Sequence, residues 1–139
     1  MTGQHRFELP ALLLDRSLGS IKVPALLRAA GLTVYTLVDI YGSPADENMK
    51  DPEWLSYAGN HGWPVLMKDQ RIRYRAAERA AVNAYRVNAF CLSGGNLKAT
   101  VMAEHFLNVL DRIAQACTRP GPALHVISAS GMRKVPLDR

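Results

Sequence analysis

The chain alternates short, wholly apolar runs with amphipathic stretches. Ala11 to Leu14 is apolar throughout and is closed by Asp15, the pattern of a short strand buried on both faces. Ser17 to Ser20 reads as a loop. Val23, Leu26, Leu27 and Ala30 recur at helical spacing, and Gly31 stands where such a helix is capped. Leu32 to Val38 is rich in β-formers and leads to Asp39. Strand, helix and strand in about thirty residues have the length of a βαβ unit.

The alternation continues. Gly42 to Lys50 is polar and turn-rich. Asp51-Pro52-Glu53 predicts a helix start, with Asp51 as N-cap and Pro52 at the first helical position, running to Ala58 and stopping near Gly59-Asn60. Trp63 to Met67 and Val87 to Leu92 are further strand-like runs, with an alanine-rich helix from Arg73 to Tyr85 between them. Leu97 to Cys117 reads as one long helix whose apolar positions drift between faces. Thr118 to Pro122 is a hard stop. Leu124 to Ser128 is a strand that Ser130-Gly131 turns back into Met132 to Val135. Strands alternating with helices predict an α/β fold with a mostly parallel sheet.

Composition narrows the class. At 139 residues and 48% hydrophobic content the chain suits one domain with one packed core. No apolar run approaches the roughly 18 residues of a membrane span. The N-terminal stretch Leu9 to Leu14 is too short for a secretory signal core, so the expected location is cytoplasmic. Cys91 and Cys117 sit among apolar neighbours and read as buried thiols rather than a disulfide framework. His5, His61, His105 and His125 are too scattered to suggest zinc. The net charge is +5, and arginine outnumbers lysine twelve to five. That favours bidentate contacts to phosphate or carboxylate, and nucleic acid is the commonest such partner.

The candidate chemistry lies at strand ends. Leu12-Leu13-Leu14-Asp15 and Val65-Leu66-Met67-Lys68-Asp69 both run from a buried-type strand into an aspartate. In an open α/β sheet, ligands bind beyond the carboxyl ends of the strands, so Asp15 and Asp69 would share a crevice. A third acid belongs to a nearby helix start, in Asp46-Glu47 or at Asp51. Crowded carboxylates raise one another's pKa values, and a divalent cation such as Mg²⁺ or Mn²⁺ relieves that cost. Each acid also has a plainer reading. Asp15 and Asp69 could cap the turns that follow them, Asp51 could be only an N-cap, Asp46 and Glu47 could be solvated loop charges, and Asp39 reads as structural.

The segments LLLDRSLG, VPALLRAAGLTVYTLVD, DPEW and GWPVLMKDQRIR, in this order, resemble the PIN-like ribonuclease toxins of bacterial toxin–antitoxin modules, nearest to the VapC45-like group. The resemblance runs from about Ala11 to Val135. It implies a single PIN-like domain over 1–139, a three-layer α/β fold with a mostly parallel central sheet flanked by helices, and metal-dependent cleavage of RNA. Carried over by position, Asp15 matches the first-strand acid, Asp69 the third-strand acid, and Asp51 the helix-start acid, with Asp46 or Glu47 as second choice. These three aspartates are thereby the expected catalytic residues and ligands of Mg²⁺ (or Mn²⁺). Where the family often carries a fourth acid, this chain has Asn96, an amide that can ligate or orient a water. A cognate antitoxin protein, and a homodimer or toxin–antitoxin hetero-oligomer, are also implied.

The chemistry agrees with the residues independently. Phosphodiester hydrolysis needs an activated water and a neutralised developing charge, which a carboxylate-held cation supplies. Lys68, Arg71, Arg73, Arg75, Arg79 and Arg86 lie against only Asp69 and Glu78. Arg71, Arg73 and Arg75 alternate, so an extended segment places all three on one side as an RNA-binding edge, with Tyr74 available to stack on a base; the same run also reads as a solvated helix face. Two other classes compete. One is a non-catalytic PIN-like RNA-binding or regulatory module, which Asn96 permits. The other is a phosphoryl-transfer domain. Its dehalogenase-like form needs Asp-x-Asp after the first strand, where this chain has Asp15-Arg16-Ser17, and a receiver needs paired acids there.

Overall fold

The computed structural model describes residues 9–68 and 76–137. One six-stranded sheet is built from β1 (Leu12–Leu14), β2 (Val34–Thr36), β3 (Val65–Met67), β4 (Asn88–Leu92), β5 (Ala123–Ser128) and β6 (Gly131–Val135). The spatial order is β2-β1-β3-β4-β5-β6. All pairings are parallel except the β5–β6 hairpin. The helices are α1 (Lys22–Ala29), α2 (Leu37–Tyr41), α3 (Asp51–His61), α4 (Ala76–Ala84), α5 (Ala99–Asn108) and α6 (Leu110–Ala116).

The apolar runs explain the layers. Successive strand residues point to opposite faces, and both faces are covered. Leu12 and Leu14 join Val23 and Leu27 of α1, Phe106 of α5 and Ile113 of α6. Leu13 joins Leu37 of α2, Trp54 and Leu55 of α3, and Val82 of α4. All three leucines of β1 are at most 1% exposed, each contributing about 2 kcal/mol by burial. The expected three-layer α/β architecture is therefore present. Among the described residues, no helix is long and apolar enough to cross a membrane.

Four expectations need correction. The β-rich run Leu32 to Val38 forms strand only over Val34–Thr36; from Leu37 the chain is helical. The cause is a capping box. The Thr36 hydroxyl accepts from Asp39 N–H at 3.1 Å, and the Asp39 carboxylate accepts from Thr36 N–H at 2.8 Å. Asp39 also pairs with Arg28 at 2.9 Å, so its role is structural, as the sequence suggested. The second correction concerns the helix from Asp51, which continues past Gly59 to His61 and closes on Gly62 at φ +69°. Gly59 does not break it, because Gly59 is where α3 approaches the turn after α4 (a Cβ there would lie 2.3 Å from the Tyr85 carbonyl oxygen).

The predicted helix from Leu97 to Cys117 is two, hinged at Val109 with φ −115°. Phe106, Val109, Leu110 and Ile113 all enter one core across the break, at the i, i+3, i+4, i+7 spacing of a single apolar stripe. Lastly, the loop from Ser17 contains a 3₁₀ turn over Arg16–Leu18. The start of the arginine-led helix lies outside the described residues.

Desolvation pushes the Asp39 pKa up, but hydrogen bonds from the Thr36 amide and hydroxyl and from Arg28 outweigh it, leaving the carboxyl below its ordinary value. A depressed carboxyl stabilises the fold above its unfolded pKa and loses that contribution as pH falls through the folded value. Asp39→Ala should therefore cost about 1 kcal/mol at neutral pH, trimmed by salt because the pair is exposed. Urea unfolding at pH 7 and pH 3 should show the gap to wild type shrinking at the lower pH.

Candidate active site

The strand order reverses between β1 and β3. From β1 the chain moves outward to β2, then returns past β1 to lay down β3, β4 and β5 in the other direction. A crevice opens beyond the strand ends at such a reversal. The residue that follows β1 is Asp15, and its N–H donates to the Leu66 carbonyl of β3 at 2.9 Å.

The Asp15 side chain is held by a hydroxyl that pattern reading took for loop. Ser17 Oγ donates to Asp15 Oδ2 at 2.6 Å and accepts from Lys68 N–H at 3.0 Å. The 3₁₀ turn makes this possible: Leu18 N–H returns to the Asp15 carbonyl at 3.1 Å, folding Ser17 back over the strand end. One hydroxyl thus ties the end of β1 to the end of β3. The local signal was a hydroxyl two residues beyond a strand-end aspartate; its second partner is 51 residues away.

Asp51 is in the first turn of α3, but it is not the cap. The N-cap is Lys50, whose N–H donates to Glu53 Oε1 at 2.9 Å. The Asp51 carboxylate is thereby free for another partner, and Oδ1 accepts from Trp54 Nε1 at 2.9 Å. Trp54 is 1% exposed, so an immobile indole buried under α3 sets the carboxylate's position. Asp15 and Asp51 are near enough to interact. Burial raises the Asp15 pKa, the Ser17 hydrogen bond draws it down, and the Asp51 charge raises it again; the net displacement is upward. Burial and a like charge both oppose ionisation, so a cation bound there would be favoured.

The second-choice acids lie in the turn Ala45–Asn48. Arg16 holds this turn, donating to the Asp46 and Met49 carbonyls at 2.9 and 2.7 Å. Glu47 is exposed. Asp46 is half-buried, and its Oδ1 is buried without a hydrogen-bond partner, so it is not a solvated loop charge. Asn96 is exposed in the turn after β4. Asp69, Tyr74 and the arginines Arg71, Arg73 and Arg75 lie outside the described residues. Among the described residues, no three of His, Cys, Asp and Glu gather as a metal-binding group. The structure thus brings Asp15 and Asp51 together, and places Lys68, the neighbour of Asp69, against Ser17. Neither cysteine forms a disulfide. Burial pushes the Cys117 thiol up to about 11, as for an unreactive thiol.

Residues 10–94 match the family model described as PIN like domain. Among curated proteins, the one named "Putative ribonuclease VapC45", from Mycobacterium tuberculosis (strain ATCC 25618 / H37Rv), is 32% identical over 128 residues, covering 92% of this chain and 93% of that protein. No solved structure matches the chain.

Proposed function

The chain belongs to the PIN-like domain family, and from that premise we propose that it is a metal-dependent endoribonuclease, the toxin of a toxin–antitoxin pair, acting in the cytoplasm as one domain over residues 1–139. The observation that carries this reading is the pair Asp15–Asp51 at the sheet's reversal, where a buried carboxyl is pushed up by burial and by its acidic neighbour. Such a pair favours a cation, and its hard oxygen donors suit Mg²⁺ or Mn²⁺. Asp15, Asp51 and Asp69 would hold it. When bound, the cation neutralises charge developing on the scissile phosphate and activates water near neutral pH.

The chain's own groups supply the positioning. Ser17 orients the Asp15 carboxylate, Trp54 orients Asp51, and Arg16 fixes the turn that leads into α3. Ser17→Ala should lower Mn²⁺ affinity by about 10- to 100-fold, the usual cost of losing a ligand's supporting hydrogen bond. Ser17→Thr, which keeps the hydroxyl, should recover most of it.

Isothermal titration with Mn²⁺ tests the reading directly. Binding should be present in the wild type and absent in Asp15→Ala and Asp69→Ala; unchanged affinity in both variants would overturn it. The relative named a ribonuclease supports an RNA substrate, and the proposal extends to a cognate antitoxin, in a homodimer or toxin–antitoxin hetero-oligomer. Co-purification from the native host should yield a small second protein. One observation favours a second reading, a non-catalytic RNA-binding module: Asn96 stands where the family often has a fourth acid. RNA binding without Mn²⁺-stimulated cleavage would select it.

A further inference from the structure

A groove runs between α6, the 117–122 turn and the β5–β6 hairpin. It consists of two concavities of about 540 and 390 Å³ that share Arg112, Met132 and Arg133 in their walls. Its charge is one-sided. Arg112, Arg119, Arg133 and Lys134 line it, and among the described residues no aspartate or glutamate does. Arg112 is anchored, its Nη2 donating to the Met132 carbonyl at 2.6 Å. The larger concavity is walled in part by His125, which is 8% exposed, stacks on Phe90 at 4.9 Å and has a buried Nδ1 without a partner. Burial and then the charge of Lys134 hold the His125 pKa down against a hydrogen bond with the Ala89 backbone that raises it, and the Arg112 charge adds to the lowering. The imidazole is therefore neutral at neutral pH, and the groove's charge comes from the arginines and the lysine.

The position of the groove identifies its occupant. The smaller concavity is lined by Ser93, Ser128 and Ser130, at the carboxyl ends of β4 and β5. That is the same end of the sheet as Asp15. β4 neighbours β3, and β3 neighbours β1, so Ser93 begins about 10 Å from the Asp15 strand end, two strand spacings away. A polymer of phosphates leaving the site meets these hydroxyls together with Arg112 and Arg133, then turns along β5 toward its amino end, past Lys134 opposite His125 to Arg119.

We infer that this groove carries the RNA backbone away from the Asp15–Asp51 site, its cations neutralising successive phosphates. The inference rests on the ribonuclease reading. It adds four cations that the sequence pattern did not single out.

The test is fluorescence anisotropy of labelled single-stranded RNA in EDTA, titrated with NaCl, using oligonucleotides of about 4 and about 12 residues. The probe variant is Arg119→Gln/Arg133→Gln/Lys134→Gln, three exposed side chains. It should bind the longer RNA about tenfold more weakly at ~0.1 M salt, with a salt slope flatter by about 2, near 0.7 for each phosphate no longer neutralised. The short RNA should bind as it does to wild type. Arg119→Lys/Arg133→Lys/Lys134→Arg, which keeps the charges, should restore affinity and slope. Wild-type affinity and slope in the Gln variant would overturn the groove alone, provided the wild type binds and cuts RNA. Loss of a co-purifying acidic protein with RNA affinity intact would overturn it too, marking a protein-docking surface. A wild type that binds no RNA would remove the groove and the ribonuclease reading together.

Discussion

Asp15→Asn should abolish Mn²⁺ binding and lower RNA cleavage by about 10³-fold, yet raise the melting temperature of the metal-free protein at neutral pH. Both effects have one cause. Burial and the Asp51 charge raise the Asp15 pKa in the folded state, whereas the unfolded chain titrates near 3.9. An acid whose pKa rises on folding holds its proton more tightly in the fold. Above the folded value the carboxylate is charged in both states, and the fold carries the cost. That cost fades as pH falls from the folded value toward the unfolded one. Asparagine removes the charge and can still accept the Ser17 hydroxyl through its amide oxygen. Thermal unfolding in EDTA should therefore place the variant above wild type at pH 7, with the difference shrinking near pH 4. Added Mn²⁺ should reverse the order, because only the wild type gains binding energy, about 2.7 kcal/mol at a hundredfold excess over Kd. A variant less stable than wild type without metal at pH 7 would contradict this account.

The acids were legible for uneven reasons. Asp15 could be read because three leucines precede it, and an unbroken apolar run needs a sheet covered on both faces. Asp51 could be placed at a helix start, but pattern alone gave it the capping role. Lys50 with Glu53 caps instead, and the deciding contact is to Trp54, which the periodicity of the helix does not distinguish from an ordinary core residue. Ser17 was invisible because what gives it meaning, the Lys68 amide, is remote in sequence. The basic groove was invisible for the same reason: Arg112, Arg119, Arg133 and Lys134 come from a helix, a turn and an edge strand, and only the topology collects them. The missed elements share a different cause. No glycine or proline marks the hinge at Val109. The β-propensity of Leu32 to Val38 is overridden at Thr36 by a side-chain cap and the burial of Leu37, a tertiary effect stronger than a propensity scale spanning about 1 kcal/mol.

Gly59→Ala should destabilise the fold by about 3 kcal/mol and weaken Mn²⁺ binding, although Gly59 is far from the carboxylates. Helix propensity argues the other way, since alanine in mid-helix gains about 1 kcal/mol over glycine. Packing decides the sign. An added Cβ would lie 2.3 Å from the Tyr85 carbonyl oxygen and 2.9 Å from the Tyr85 Cβ, closer than atoms tolerate, and overpacking of this kind costs typically about 1–3 kcal/mol. The Tyr85–Arg86 turn has little room to yield. Arg86 already holds φ +57°, and Gly121 closes on the same turn, where its own Cβ would meet the Arg86 carbonyl oxygen at 2.4 Å. The strain therefore falls on α3, which must lift from α4. Eight residues of helix, about 12 Å at 1.5 Å each, join Gly59 to Asp51, and a rigid helix shifted at one end misplaces the carboxylate at the other. Urea unfolding should report the lost stability, and isothermal titration the lost affinity. An alanine variant as stable as wild type would show that the turn gives way after all. Stability lost with Mn²⁺ affinity retained would show that Trp54 holds Asp51 in place independently of the far end of its helix.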